Sequence, residues 1–215
     1  MKLVLHNYWR SSCSHRVRIG LALKQVPYEY VAVNVLHKEQ FAEAYRARNP
    51  MAQVPTLEIT EDDGTVHAIA QSLPILEYLE EQFPAPALLP QDRWLRARTR
   101  ALAEIVNSGI QPFQNLTTQK AIKDLGGDEV AWTKRYIAEG LVAYERHARE
   151  TAGTFSVGDA PTIADCCLVP QLVAARRMNV DLAPHELIRA IEARCLALPA
   201  FAAAAPDTQP DAVKS

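Results

Sequence analysis

Ser11, Ser12 and Cys13 stand together in the stretch NYWRSSCSHRVRIGLALK, directly ahead of Ser14–Lys24, where Val17, Leu21 and Lys24 fall at helical spacing. The first N–H groups of a helix have no intrahelical partner, and the aligned peptide dipoles add partial positive charge at that end. Two hydroxyls and a thiol placed there are suited to an anion. A hydroxyl can donate to a thiolate, and the same helix end lowers the pKa of a thiol. The segment is equally consistent with an N-cap by Ser12 or Ser14 and an inert Cys13.

Two further stretches carry chemistry of the same kind. In NPMAQVPTLEI, extended Gln53 and Val54 precede Pro55 and an apolar run. The pattern resembles the cis-proline turn of thioredoxin-like folds, where an open backbone edge can pair with a peptide's main chain. A trans Val54–Pro55 bond at an ordinary strand start fits the letters as well. In AQSLPILEYLEEQFP, Ser72 can cap a helix with Pro74 in its first turn, a position where proline is tolerated. Gln71 and Ser72 would then present an amide, a hydroxyl and a helix N-terminus, all suited to a carboxylate.

These stretches need elements to hold them. Lys2–Asn7 reads as a strand, Ser14–Lys24 as a helix and Tyr28–Val33 as a half-buried strand of period two. Gln40–Arg48 reads as a helix stopped before Asn49-Pro50. Thr56–Thr60 and Thr65–Ile69 flank EDDG as a hairpin, and a helix follows over Leu73–Gln82. The order β-α-β-α-β-β-α fits a small mixed sheet with helices packed on it. The three stretches follow the first strand, precede the third and follow the fourth. In a thioredoxin-like sheet those places converge on one edge, which describes a groove for a short, extended, anionic peptide containing a thiol; glutathione fits.

Phe83–Pro90 (FPAPALLP) is proline-rich and reads as a stiff linker, and beyond it strand signals vanish. Arg93–Val106, Glu129–Glu150, Thr162–Arg177 and His185–Leu198 read as helices. Thr162-x-x-Asp165 is a capping box opening an apolar helix that takes Cys166 and Cys167 into its core. The expected architecture is α+β: a thioredoxin-like domain over residues 1–83, a linker over 84–90 and an all-α domain over 91–215. The last stretch, PDTQPDAVKS, reads as a loose tail, and Gln114–Gly127 as a polar candidate lid.

The 215 residues carry a formal net charge of -2, which gives no general attraction to nucleic acid or membranes. Apolar runs are shorter than a membrane span, and no signal-peptide pattern opens the chain, so the cytoplasm is expected. Cys13, Cys166, Cys167 and Cys195 form no C-x-x-C pair and are expected as free thiols. The six histidines are scattered, so no metal is expected.

SSCSHRVRIGLALK, NPMAQVPTL, QSLPILEYLEE, LLPQD, GIQPFQNL and VGDAPTIADCCLVPQ, spread over nearly the whole chain, together resemble the zeta class of glutathione transferases. The run S-S-C-S-x-R-V-R-I is specific to that class, whereas the capping box and the Q-S pair occur across glutathione transferases. Glycine at Gly20 and proline at Pro74 depart from the alanine usual there, and the hairpin TEDDGTVHAIA is longer. The resemblance implies glutathione as cofactor, held by Ser11, Ser12, Cys13, Ser14, His15, Arg16, Gln40, Val54, Gln71, Ser72, Gln111 and Asn115. It implies that Ser11 holds the thiolate, that Cys13 borders the reacting centre, and that Arg177 grips a substrate carboxylate, with Arg10 a second candidate. The activity it implies is glutathione-dependent cis–trans isomerisation of a diketo diacid, maleylacetoacetate, in a homodimer. Maleylpyruvate isomerisation and a broad transferase or dehalogenase activity are the alternatives. A thiol–disulfide oxidoreductase would need a resolving cysteine that is missing at the right spacing, and a non-catalytic module would not need the Ser11–Cys13 set.

Overall fold

The structure, a computed structural model, describes residues 1–213. Contacts divide the chain into two compact units, Met1–Ala87 with the segment from Leu198 onward, and Leu88–Ala197. The second boundary differs from the expected 91–215 range: the C-terminal segment packs with the first unit, where helix α10 (Pro199–Ala204) lies against helix α1 (Ser12–Leu23).

The first unit is built on strands β1 (Lys2–Asn7), β2 (Glu29–Ala32), β3 (Thr56–Thr60) and β4 (Val66–Ala70), in the order β2-β1-β3-β4. β1 and β2 are parallel, and β3 is antiparallel to both of its neighbours. Alternation places Leu3 and Leu5 of β1 and Leu57 and Ile59 of β3 on one face. Val17 and Leu21 of α1 and Ile75 and Leu79 of helix α3 (Ser72–Gln82) cover that face in one buried cluster. The EDDG hairpin closes with Gly64 at φ 85 and with Gly64 N–H bonded to Glu61 O at 3.0 Å, the left-handed position that glycine tolerates.

The helix expected over Gln40–Arg48 is broken up. Two 3-10 turns, Val35–His37 and Glu39–Phe41, precede a single helical turn, α2 (Glu43–Arg46). Lys38 adopts φ 62, and Ala42 is extended at ψ 143, so no continuous helix can run through. Asn34 caps the first turn, its Oδ1 accepting from Leu36 N–H at 3.0 Å.

The second unit is all helix and turn among the described residues, apart from an isolated bridge between Ala152 and Gly158. It contains α4 (Arg93–Asn107), α5 (Gln111–Gln114), α6 (Leu116–Asp124), α7 (Glu129–Ala148), α8 (Ile163–Arg177) and α9 (Glu186–Leu196). Leu102, Val106, Ile137, Leu141, Leu168 and Ile191 are among the buried residues at its centre. The capping box forms: Asp165 accepts from Thr162 N–H at 2.8 Å and from Ser156 N–H at 2.9 Å, and Cys166 and Cys167 are buried. Most of Gln114–Gly127, read from sequence as a candidate lid, is helix α6.

The proline-rich stretch is anchored at both ends rather than spanning open space. Lys24 Nζ donates to the carbonyls of Phe83 (2.6 Å) and Pro86 (2.9 Å) within the first unit, while Leu88 O accepts from Ile163 N–H at 3.0 Å within the second. The tail is not loose through Asp211, which accepts from Trp9 N–H at 3.1 Å and from the Tyr30 hydroxyl. Of the tail residues, Lys214 and Ser215 lie outside the described residues.

Candidate active site

Sheet register brings three chain segments together. His6 pairs with Thr56 and Thr56 with Ala70, so the exit of β1, the entry to β3 and the exit of β4 are neighbours at one end of the sheet.

On the first of these segments α1 begins at Ser12, two residues ahead of the expected Ser14, and its N-cap is Ser11 rather than Ser12 or Ser14. Ser11 Oγ accepts from Ser14 N–H at 3.2 Å, which leaves the hydroxyl hydrogen available to an anion. Ser11, Ser12 and Cys13 are half-buried, while Ser14, His15 and Arg16 turn into the interior. Ser14 is committed within the fold, its Oγ accepting from Tyr8 N–H at 3.4 Å. Cys13 is a free thiol on the first helical turn, and Arg10 is exposed just upstream.

Arg18, which sequence reasoning passed over, holds this segment in place. Its buried guanidinium donates to Asn7 Oδ1 (2.9 Å), Tyr8 O (3.3 Å), Trp9 O (2.9 Å) and Ala204 O (3.1 Å). Burial pushes its pKa down, and Tyr30, Tyr28 and Asp211 push the other way. The one signal in the sequence is a charged residue between Val17 and Ile19 on a helix that is otherwise apolar there.

The second segment carries Val54, joined to Pro55 by a cis bond. Neither the N–H nor the C=O of Val54 forms a hydrogen bond among the described residues. An open main-chain donor and acceptor at the entry to a strand is an arrangement that accepts another peptide's backbone. Gln40 also lies in this unit; its Oε1 is buried and has no hydrogen-bond partner among the described residues.

The third segment turns at Gln71, the N-cap of α3, with φ 73 and ψ 126. A non-glycine residue in that region costs on the order of 1–3 kcal/mol and persists where surrounding structure imposes it. Ser72 was expected to cap; it is instead the first helical residue, and no side-chain capping bond forms. Its Oγ accepts from Arg16 Nη1 at 3.1 Å, again leaving a hydroxyl hydrogen to donate.

In the second unit, Gln111 and Asn115 lie at the two ends of the short α5 and bond to each other, Gln111 Nε2 donating to Asn115 Oδ1 at 2.8 Å. Gln114 Nε2 donates to Gln111 Oε1 at 3.0 Å and exchanges a reciprocal pair of 3.0 Å bonds with buried Gln171. Ile110, just ahead of α5, packs so closely on Gly140 of α7 that a Cβ there would lie 2.3 Å from its side chain. Arg177 is exposed at the end of α8, next to Arg176, which forms an ion pair with Glu192.

The profile of the Glutathione S-transferase, N-terminal domain, matches residues 10–82. Maleylacetoacetate isomerase of Rattus norvegicus is 46% identical over 212 residues, covering 98% of this chain and 95% of the relative. The crystal structure of maleylacetoacetate isomerase from Anaeromyxobacter dehalogenans 2CP-1, with bound GSH in the active site, superposes with TM-score 0.91 at 54% identity, covering 99% of this chain and 98% of that one. A holo maleyl pyruvate isomerase described as a bacterial glutathione-S-transferase in Zeta class superposes with TM-score 0.90 at 46% identity, covering 98% and 100% of the two chains. The chain belongs to the zeta class of glutathione transferases. The two-part order of a zeta-class transferase, a thioredoxin-like sheet domain followed by helices, is the order found here. Among the described residues no helix is long and apolar enough to cross a membrane.

Proposed function

We propose that this zeta-class chain is a glutathione-dependent isomerase that converts maleylacetoacetate to fumarylacetoacetate in tyrosine and phenylalanine breakdown. The observation that carries the reading is the unused hydrogen-bonding capacity at one end of the sheet: the Ser11 and Ser72 hydroxyl hydrogens and the open Val54 backbone. A thiol tripeptide ending in carboxylates is chemically matched to that set, and orphaned Gln40 Oε1 adds an acceptor. Relatives bearing the isomerase name cover nearly the whole chain.

When bound, glutathione supplies a thiolate that adds reversibly to the activated cis alkene, so that the bond becomes single and can rotate. In this reading Ser11 donates its hydroxyl to the thiolate, with Ser12 and Cys13 bordering it at the α1 N-terminus. Val54 pairs with the tripeptide's main chain. Gln71 and Ser72 hold one of its carboxylates at the start of α3. Gln40 completes the grip within the first unit, supported by buried Ser14, His15 and Arg16; for Gln111 and Asn115 of the second unit a glutathione contact is what the family resemblance implies. A guanidinium orients the diacid and stabilises the developing enolate, the role that the family resemblance implies for Arg177, with Arg10 the second candidate.

Magnitudes decide which of these roles matters most. Lowering a thiol pKa from ~8.5 to ~6.5 raises the thiolate fraction at pH 7 by about 25-fold. Lower nucleophilicity, with a Brønsted slope near ~0.45, takes back about 8-fold. The remaining factor of about 3 is small beside effective molarities of roughly 10⁵ M for a well-oriented pair. Positioning, and therefore the carboxylate anchors, carries most of the acceleration.

Turnover of maleylacetoacetate with the amount of glutathione unchanged tests the reading; no turnover at saturating glutathione overturns it. Maleylpyruvate isomerisation is the second reading, favoured by the name of the 46% identical zeta-class structure, and comparing kcat/KM on the two acids separates them. Stoichiometric loss of glutathione would instead mark a transferase or dehalogenase. The proposal includes a homodimer in the cytoplasm, for which sedimentation velocity and cell fractionation are the tests.

A further inference from the structure

Beneath Val54 lies a closed knot of buried polar side chains that the chemistry above does not use. Tyr45 of α2 is 6% exposed, Asn49 2% and Thr56 0%. Tyr45 Oη lies 2.5 Å from Gln53 O and 2.9 Å from Thr56 Oγ1. Asn49 Nδ2 lies 2.8 Å from Gln53 O and 3.3 Å from Thr56 Oγ1, and Asn49 Oδ1 accepts from Met51 N–H at 3.1 Å.

Counting hydrogens settles the direction of every bond. A carbonyl can only accept, so Tyr45 gives its single hydrogen to Gln53 O. Its contact with Thr56 must then run from the threonine hydroxyl to the phenol oxygen. The two amide hydrogens of Asn49 go to Gln53 O and to Thr56 Oγ1. Each side-chain donor thus has one destination, and Gln53 O accepts twice. Burial raises the Tyr45 pKa, against the opposing pull of the neighbouring Thr56 and Asn49 side chains, which keeps the phenol a neutral donor.

The Gln53–Val54 bond is trans, since the cis bonds fall at Val54–Pro55 and Ala85–Pro86. In a trans peptide the C=O and N–H of one plane point in opposite directions. Pulling Gln53 O into the buried knot therefore turns the Val54 N–H away from it, and that N–H has no partner among the described residues. An unpaired exposed peptide plane would otherwise rotate, and each ligand would have to order it on arrival.

We propose that Tyr45 and Asn49, with Thr56 bracing Tyr45, are positioning residues for tripeptide binding: they lock the Gln53–Val54 plane so that the Val54 N–H is presented in advance to the ligand's main chain. The inference rests on the glutathione reading above. It assigns no chemical step to the knot, so affinity should change and the chemical step should not.

The test is calorimetric titration of glutathione, steady-state kinetics with maleylacetoacetate, and the Val54 amide exchange rate by NMR. Tyr45→Phe deletes the hydrogen bonds with almost no change in shape. It is expected to raise the glutathione Kd roughly three- to tenfold, to leave kcat at saturating glutathione within about twofold, and to speed Val54 amide exchange in the free protein. Asn49→Ala, which removes the other bond to Gln53 O, is the second variant and is expected to give the same split should Tyr45→Phe fail to fold. Wild-type Kd and exchange in either folded variant, or a fall in saturated kcat as large as the loss of affinity, overturns the proposal. Absence of any glutathione association with the unmutated chain instead overturns the functional reading and removes the ligand from this inference.

Discussion

Arg16 Nη1 and Ser72 Oγ lie 3.1 Å apart, and both residues are buried. The bond ties the first turns of α1 to the first residue of α3, and thereby two of the segments that meet at the end of the sheet. It also fixes the Ser72 hydroxyl rotor, because the oxygen accepts and the hydrogen must point elsewhere. Ser72→Ala is expected to raise the glutathione KM about tenfold with little change in saturated kcat. Losing an acceptor for a buried guanidinium should cost about 1–3 kcal/mol of stability. Steady-state kinetics and urea unfolding measure the two effects, and an unchanged KM would remove Ser72 from the ligand site.

Ser11 combines a capping acceptor with a free hydroxyl hydrogen, whereas Cys13 makes no capping bond. Ser11→Ala should therefore cost about 1 kcal/mol as a lost cap. It should also lower kcat/KM on the order of 100-fold, the effect typical of removing one donor to a reacting anion. Cys13→Ala should stay within about fivefold of the parent. The reverse ranking in pre-steady-state assays would mean that the protein's own sulfur takes part.

Arg18 and Asp211 both brace the loop that carries Ser11, Arg18 through Tyr8 O and Trp9 O and Asp211 through Trp9 N–H. Lysine has too few donors and lacks the planar fork to reach the four acceptors of Arg18. Arg18→Lys is expected to cost about 3 kcal/mol in chemical denaturation, and Asp211→Ala about 1–2 kcal/mol. Both should weaken glutathione binding in calorimetry; full affinity in a folded Asp211→Ala chain would show that the loop holds without its tail.

His6 on β1 has its pKa lowered, first by burial and then by Arg48, against the opposing pull of Glu58 3.7 Å away. The unfolded chain takes up this proton near pH ~6.5, the folded chain only at lower pH. Stability from this group is therefore complete above about 6.5 and declines as pH falls from there toward the lowered folded value. The melting temperature should drop between pH 7.5 and 5.5, and His6→Gln should flatten that drop. Equal slopes in the two proteins would assign the acid sensitivity to another group.

Local patterning determined a large part of this molecule. β1 follows from a short apolar run that is buried on both faces, and β3 from the strand–EDDG–strand pattern of a hairpin. The capping box at Thr162 and Asp165 is likewise a short-range arrangement that four residues suffice to specify. The order of strands and helices was enough to expect Ser11, Val54 and Ser72 at one end of a sheet.

Tertiary contacts decided the rest. Gln40–Arg48 carries a helical pattern, yet Tyr45 must reach Gln53 and Thr56, and the chain divides into 3-10 turns and one helical turn around that buried knot. Arg18 looks out of place in the apolar second half of α1 until its acceptors arrive from residues 7–9 and 204. The C-terminal stretch has the composition of a tail, but Asp211 finds Trp9 and Tyr30 some two hundred residues upstream. Propensity and periodicity report what a residue prefers beside its neighbours in the chain. Where a buried polar group finds its partner depends on which distant backbone folding brings within 3 Å, and no local pattern encodes that.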